Sequence, residues 1–451
     1  MVELIVVYSE GAAAPAIPGK QATEIVGVFG GDLTPIFADA EKAELIGDAE
    51  HRDAARYASA LLDAETAEEV AARVRTLPEV EAAYLRHQPE NPVAPWDDRD
   101  QLLVAADLAV AVGIPDFRAL QGYLAPAPAG IAAAAAWQTP GGDGERVNII
   151  DIEGGWCLNH VDLQPNGGLL GGTALPGPAW RDHGTAVLGT MAGTDDNTGV
   201  TGIAPAARVA AVSHGGIGAS RAIEQAAQRL APGDLMVLEM HEAGPRFDFT
   251  RRLDQRGYIA MEWWPDIFIA IRRAVALGII VIEAAGNGAE NLDDVLYDTP
   301  HPEFPSTWRN PFGGTHDSGA ILVGAGAPPN GLFGPDRSRL DFSNYGSRLD
   351  CQGWGRSVVT TGYGDLFGAP NEEQLFTARF SGTSSATPIV AGALACLQGA
   401  LKRSGRLLVP ESARAILRAT GSPQQDGLAG PATQRIGPRP DLAEAFSQLN
   451  L

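Results

Sequence analysis

The chain has 451 residues, 45% of them hydrophobic, which is enough for more than one substantial core. Its 55 acidic residues against 33 basic ones give a net charge of −22, which argues against nucleic acid or an anionic membrane surface as a partner. No run of about 18 apolar residues stands out, so no membrane span is predicted. Three cysteines (Cys157, Cys351, Cys396) allow one disulfide at most.

In chain order, Met1 to Tyr8 reads as a short strand; it lacks the basic region of a secretory signal. Whether the protein works inside or outside the cell is left open. An acidic stretch from Ala40 to Val74 has helical character, followed by a turn and a second strand over Leu77–Leu85. A linker rich in proline and acid runs from Pro89 to Asp98, and Gln101–Val112 is expected to be helical. Beyond it, short apolar runs at Val147–Asp151, Val209–Ser213, Leu235–Met240, Ile279–Ala284 and Ile321–Gly324 alternate with helical stretches such as Arg221–Leu230 and Ile267–Leu277. That alternation predicts a doubly wound, mostly parallel sheet, whose strand ends are where ligands bind.

Three motifs carry chemistry. The first is a strand ending on Asp151, continued as Ile152-Glu153-Gly154-Gly155. The second is Asp182-His183-Gly184-Thr185, a histidine opening a helix. The third is Ser381-Gly382-Thr383-Ser384-Ser385-Ala386-Thr387-Pro388, a serine at the start of a small-residue helix (Ile389 to Leu401), where free backbone N–H groups meet any developing negative charge. A strand ending Ala285-Gly286-Asn287 adds an amide donor. A serine hydroxyl needs a base to become a nucleophile, and the histidine supplies one.

Asp, His and Ser in that order, with these surrounding motifs, resemble the subtilisin (S8) family of serine peptidases from about Gln121 to the C-terminus. The resemblance implies an α/β, three-layer fold with a mostly parallel sheet over residues 117–451. It makes residues 1–90 similar to a small α+β propeptide domain, joined by a linker over 91–116. It implies a serine endopeptidase acting through an acyl-enzyme on Ser384, with His183 as base, Asp151 orienting the imidazole and Asn287 as oxyanion donor. Partners would be protein or peptide substrates, with the N-terminal domain as an intramolecular inhibitor; no organic cofactor is implied. The family continues its first strand as Asp-Thr/Ser-Gly, so Glu153 is a departure.

Other expectations follow from the resemblance. Asp162, Asp196, Thr194, Thr198, Val200 and Gln121 match a structural calcium site, against the alternative of an ion-free acidic loop. Glu239, Met240 and Glu283 fall where the walls of the S1 pocket lie. The two glutamates either select Lys or Arg at P1 or pair with internal arginines and never meet substrate. Two other readings are a catalytically silent binding module on a protease fold and a zymogen held inactive by its N-terminal domain.

Overall fold

A computed structural model describes residues 1–10, 19–37, 53–97, 99, 113–314 and 316–451. The expected helix over Gln101–Val112 lies outside the described residues, as does most of the first half of the acidic Ala40–Val74 stretch.

The N-terminal segment is a four-stranded sheet in the order β2 (Thr34–Pro35), β3 (Tyr57–Leu62), β1 (Val2–Tyr8), β4 (Val80–Arg86), with helices α1 (Lys20–Val28) and α2 (Ala64–Arg75). β1 is central and antiparallel to both β3 and β4. The strand β3 falls inside the stretch expected to be helical. Its run Tyr57-Ala58-Ser59-Ala60-Leu61-Leu62 packs on both faces of a sheet, and tertiary packing outweighs local propensity. Alternation then sorts the side chains. Leu4, Val6, Ala58 and Ala83 face α1 and α2, while Ile5, Val7, Tyr57 and Tyr84 join the main core beside the two helices described next.

The main domain is built on a seven-stranded sheet. Its order is β13 (Cys351–Trp354), β12 (Ile321–Gly326), β11 (Ile280–Ala284), β8 (Leu235–Leu238), β5 (Asn148–Glu153), β7 (Arg208–Ser213) and β6 (Leu169–Gly171). Every pairing in it is parallel, so the expected fold class holds. One face is covered by α3 (Pro178–Ala192) and α6 (Thr383–Arg403). The other is covered by α4 (Ala219–Ala227) and α5 (Pro265–Ala276), and the N-terminal sheet lies against that pair.

Two short strands, β9 (His241–Ala243) and β10 (Tyr258–Ala260), pair as an antiparallel hairpin beyond the end of β8. The run expected as one strand, Leu235–Met240, therefore breaks after Leu238. Helix α6 is, by its 21 residues and hydropathy, long enough to cross a membrane, contrary to the reading of the sequence. Its qualifying window is wholly buried as the central core helix of this domain, which explains its composition without a bilayer.

The junction between the two parts is polar at its centre. Arg86, at the end of β4, is enclosed by Glu3, by Asp266 of α5 at 3.2 Å and by Glu242 of β9 at 3.9 Å. Tyr84 donates to Asp266 at 2.9 Å. A guanidinium held by several carboxylates is the pairing that lets charge be buried at all.

Candidate active site

β5 and β8 run parallel and in register, with Asp151 beside Val237 and Ile152 beside Leu238. One step further the Glu239 N–H donates to the Ile152 carbonyl at 3.2 Å, which sets Glu239 next to Glu153. Alternation puts Asp151, Glu153 and Glu239 on one face, the face covered by α3 and α6. Three carboxyls thus gather where the sheet ends, and all three are fully buried.

His183 enters from α3. Its Nδ1 lies 2.6 Å from Glu153 Oε2, and its ring stands edge-on to Phe380 at 5.6 Å. Asp151, expected to hold that nitrogen, instead accepts from the Trp156 indole N–H at 2.7 Å. The difference is one of reach. Both acids share the face, but Glu153 is two residues nearer the strand end and one methylene longer, so it meets the imidazole while Asp151 sits behind it.

Ser384 lies in the first turn of α6. The helix begins at Thr383 after Gly382, with the serine at its start as expected, but Pro388 falls in the second turn rather than the first, so the Ser384 carbonyl loses its partner N–H. Asn287 follows β11. Its Oδ1 accepts from the Thr383 N–H at 3.0 Å and the Thr383 hydroxyl at 3.1 Å, which turns its Nδ2 outward to donate to Gln255 Oε1 at 3.1 Å. Gln255 carried no signal in the sequence; it sits in a loop between β9 and β10.

The electrostatics are those of acids without cations. Burial and the neighbouring Glu153 push the Asp151 carboxyl well up, and burial does the same to Glu153. Glu239 is raised by burial and then by the other two acids, with the Ser384 hydroxyl pulling the other way. Burial lowers His183 to about 3, against the attraction of Asp151. Ser384 Oγ, His183 Nε2 and both Glu239 oxygens are buried without a well-formed hydrogen bond, so the Glu239 carboxyl faces the serine without gripping it. Burial together with this mutual repulsion favours the protonated forms of the three acids.

The linker occupies this cleft. Glu90 and His241 exchange backbone hydrogen bonds of 3.0 and 3.1 Å in an antiparallel bridge. Two residues on, the Pro92 carbonyl points at the Ser384 N–H at 3.4 Å. Gly382, at φ +101°, permits this approach, since a Cβ there would stand 2.0 Å from the Pro92 oxygen. The strap continues with Ala94, whose carbonyl accepts from the Ser381 hydroxyl at 3.1 Å.

The expected S1 residues part company. Glu239 belongs to the carboxyl cluster. Met240 is buried in the core on the opposite side of the sheet. Glu283, in register with Leu238, also faces that side, where it accepts from the Glu262 N–H at 3.0 Å near the Glu262–Arg348 pair. Glu283 therefore does not line the cleft.

The expected calcium set comprises side-chain oxygens of Asp162, Asp196 and Gln121 and the backbone carbonyls of Thr194, Thr198 and Val200, and its side chains bond to nearby backbone. Asp162 Oδ2 accepts from the Val200 N–H at 2.7 Å, and Gln121 Oε1 accepts from the Thr201 N–H at 2.8 Å. Asp196 Oδ1 accepts from the Thr198 N–H and hydroxyl at 3.0 and 2.7 Å, and the Thr194 hydroxyl donates to the Asp162 carbonyl at 3.0 Å. Among the described residues no three His, Cys, Asp or Glu side chains gather as a metal site.

Comparison with known proteins gives a consistent result. The family model described as "Subtilase family" matches residues 159–436, beginning after the strand that carries Asp151 and Glu153. The chain is 28% identical over 315 residues to an intracellular serine protease of Paenibacillus polymyxa, spanning 66% of this chain and 81% of that one. It is 29% identical over 269 residues to subtilisin NAT of Bacillus subtilis subsp. natto, spanning 58% of each. Among solved structures it is similar to fervidolysin from Fervidobacterium pennivorans, at a TM-score of 0.57 and 16% identity over 99% of this chain and 60% of that one. A Pseudoalteromonas arctica protease gives a TM-score of 0.51 at 21% identity, over 74% of this chain and 99% of that one. At such identities the two structures speak for the fold alone.

Glu239 generates a stability prediction. Its raised folded-state pKa means that its favourable, protonated form is complete at low pH and is lost as pH rises from the ordinary carboxyl range through the folded value. Glu239→Gln does not titrate. In a Ser384→Ala background it should melt higher than its parent by an amount that is small at pH 4 and grows toward pH 8, reaching about 1–3 kcal/mol. Thermal melts of the two chains across that range check the trend; a constant or shrinking difference contradicts it.

Proposed function

The chain belongs to the subtilase family, and from that premise we propose that it is a serine endopeptidase. Ser384 Oγ attacks the scissile carbonyl, and His183 Nε2 takes the serine proton and later delivers it to the leaving amine. Water then hydrolyses the acyl-enzyme. The observation that carries this reading is the contact of Glu153 with His183 Nδ1 at 2.6 Å. A carboxylate there keeps Nδ1 protonated and leaves Nε2 as the base. Glu153 thus takes the orienting role that the resemblance gives to Asp151, and Asp151 stands behind it, raising the cost of a second charge there. The Ser384 N–H and the Asn287 Nδ2, once released from Gln255, donate to the oxyanion.

The two acids are separable. Glu153→Gln should lower kcat/KM on a peptide substrate by about 10³–10⁴-fold, the scale of losing the orienting carboxylate of a triad. Asp151→Asn should cost about tenfold or less, since it removes a neighbour of the orienting acid. Steady-state kinetics of both variants decide it, and the reverse ranking returns the role to Asp151.

The N-terminal domain acts, in this reading, as an intramolecular inhibitor whose linker lies in the cleft as a substrate would, with Pro92 at P1 and Val93 at P1′. Support comes from the antiparallel bridge at Glu90 and the Pro92 carbonyl at the Ser384 N–H. Mass spectrometry of the purified wild type should find a cut between Pro92 and Val93, while Ser384→Ala stays whole. A cut at the same bond in both chains would assign it to another protease.

Structural calcium is left out of the reading, because Asp162 and Gln121 each give an oxygen to a backbone N–H of the 194–205 loop. Addition of EGTA should leave the melting temperature unchanged. A drop on chelation, reversed by added Ca²⁺, would establish an ion there.

A further inference from the structure

Around the strap, the loop between β9 and β10 does more than complete a hairpin. It takes left-handed backbone at Asp248 (φ +50°), Phe249 (φ +56°) and Gln255 (φ +54°), conformations that cost free energy in a non-glycine residue and persist only where packing enforces them. The bent path carries two side chains, Arg251 and Gln255, to the linker, and Tyr258 at the start of β10 adds a third. The Arg251 guanidinium donates to the Gln88 carbonyl at 2.6 Å and meets Glu90 Oε1 at 2.8 Å through Nε. The Tyr258 hydroxyl donates to the same Glu90 oxygen at 3.0 Å, and Gln255 Nε2 donates to the Asn91 carbonyl at 3.1 Å.

Two of these contacts read main chain and so suit any peptide. The other two converge on one side chain. The Arg252 N–H donates to the Tyr258 hydroxyl at 3.2 Å, so that hydroxyl already has its donor and offers its own proton to the strap. The His241 ring, at 4.6 Å from the tyrosine ring, braces it from the residue that also pairs with the Glu90 backbone. A charged donor and an oriented neutral donor on one oxygen form a carboxylate receptor.

We propose that this clamp of Arg251 and Tyr258 is a specificity subsite, selecting peptides with an acidic side chain at P3. The inference rests on the endopeptidase reading and on Pro92 as P1, which makes Glu90 the P3 residue. The pair is partly solvated, with side-chain exposures of 45% for Arg251 and 30% for Glu90, so its discrimination is moderate rather than absolute. A lysine at P3 would face the guanidinium and lose both donors, which enlarges the contrast.

The test uses the full chain and a peptide series differing only at P3: Glu, Gln, Ala and Lys. The wild type should favour Glu over Lys by about 5–10-fold in kcat/KM, with a contrast that shrinks as salt rises. Arg251→Glu should reverse the order, and Tyr258→Phe should narrow it. Turnover of the P3-Ala peptide reports the endopeptidase reading by itself, so its absence defeats that reading and not the clamp. Equal rates for Glu and Lys alongside good turnover of Ala overturn the clamp.

A readout without catalysis covers the remaining case. In the Ser384→Ala chain, Glu90→Lys or Arg251→Glu alone should make the strap several-fold more susceptible to an added protease, and the two together should restore protection. Additive effects in that cycle also overturn the proposal.

Discussion

Parity along two parallel strands is the constraint from which the site follows. β5 and β8 are hydrogen-bonded in register, so every second residue of each faces the layer containing α3 and α6. Up to Ile149 and Val237 that face is apolar and fills the core. At the strand ends it turns acidic three times, at Asp151, Glu153 and Glu239, without leaving the buried layer. The groups that act on these carboxyls are one another, Trp156, Ser384 and His183. Each must be neutralised by a proton or answered by the imidazole, which ties the stability of the sheet end to the protonation state of the site.

The two helices on that face deliver the reacting groups near their N-terminal ends, His183 from the second turn of α3 and Ser384 from the first turn of α6. His183 sits early in α3 and Ser384 early in α6, and the two helices pack against each other in one core with Val187, Met191, Val390 and Leu394. A residue so placed is held rigidly by the helix behind it while its side chain reaches the open strand ends. The first turn also leaves backbone N–H groups unpaired, which is how the Ser384 N–H comes to face the Pro92 carbonyl. Gly382 makes room for that carbonyl, so the absence of one Cβ decides whether a peptide can lie beside the serine.

Much of this was legible in the residues. His183, Ser384 and Asn287 stand in local motifs whose residue types announce their surroundings; Ser384 opens its helix and Asn287 follows its strand as expected, while α3 begins at Pro178, five residues before the histidine expected to open it. The orienting acid was not legible, because Asp151 and Glu153 share a face by alternation. Only the distance from the sheet to α3 tells which side chain reaches the ring. Glu283 was misread through the same rule applied without a register: its partner across the sheet is Leu238, which faces away from the cleft. The hidden strand β3 shows a different limit, since an alanine-rich run fits a helix or a buried strand equally well until its neighbours are known. Arg251, Gln255 and, at the loop's exit into β10, Tyr258 gave no signal, because a loop's aim depends on turns set by packing rather than by motif.

How firmly the strap is held is a question of linkage more than of contacts. Taken alone, one backbone bridge, a half-exposed ion pair and two or three hydrogen bonds are a weak ligand for a protease cleft. Yet the strap follows directly from β4, whose last residue, Arg86, is buried in the junction with Glu3, Asp266 and Glu242. Only Gln88 and its immediate neighbours separate that anchor from Glu90, so the segment meets the cleft at the millimolar or higher effective concentration of a short tether. Docking of the N-terminal sheet on α4 and α5 thus supplies most of the occupancy, and the side-chain contacts supply its register. A peptide arriving from solution lacks the anchor and must rely on the register contacts themselves. What is a minor term for the strap therefore becomes a deciding one for a substrate.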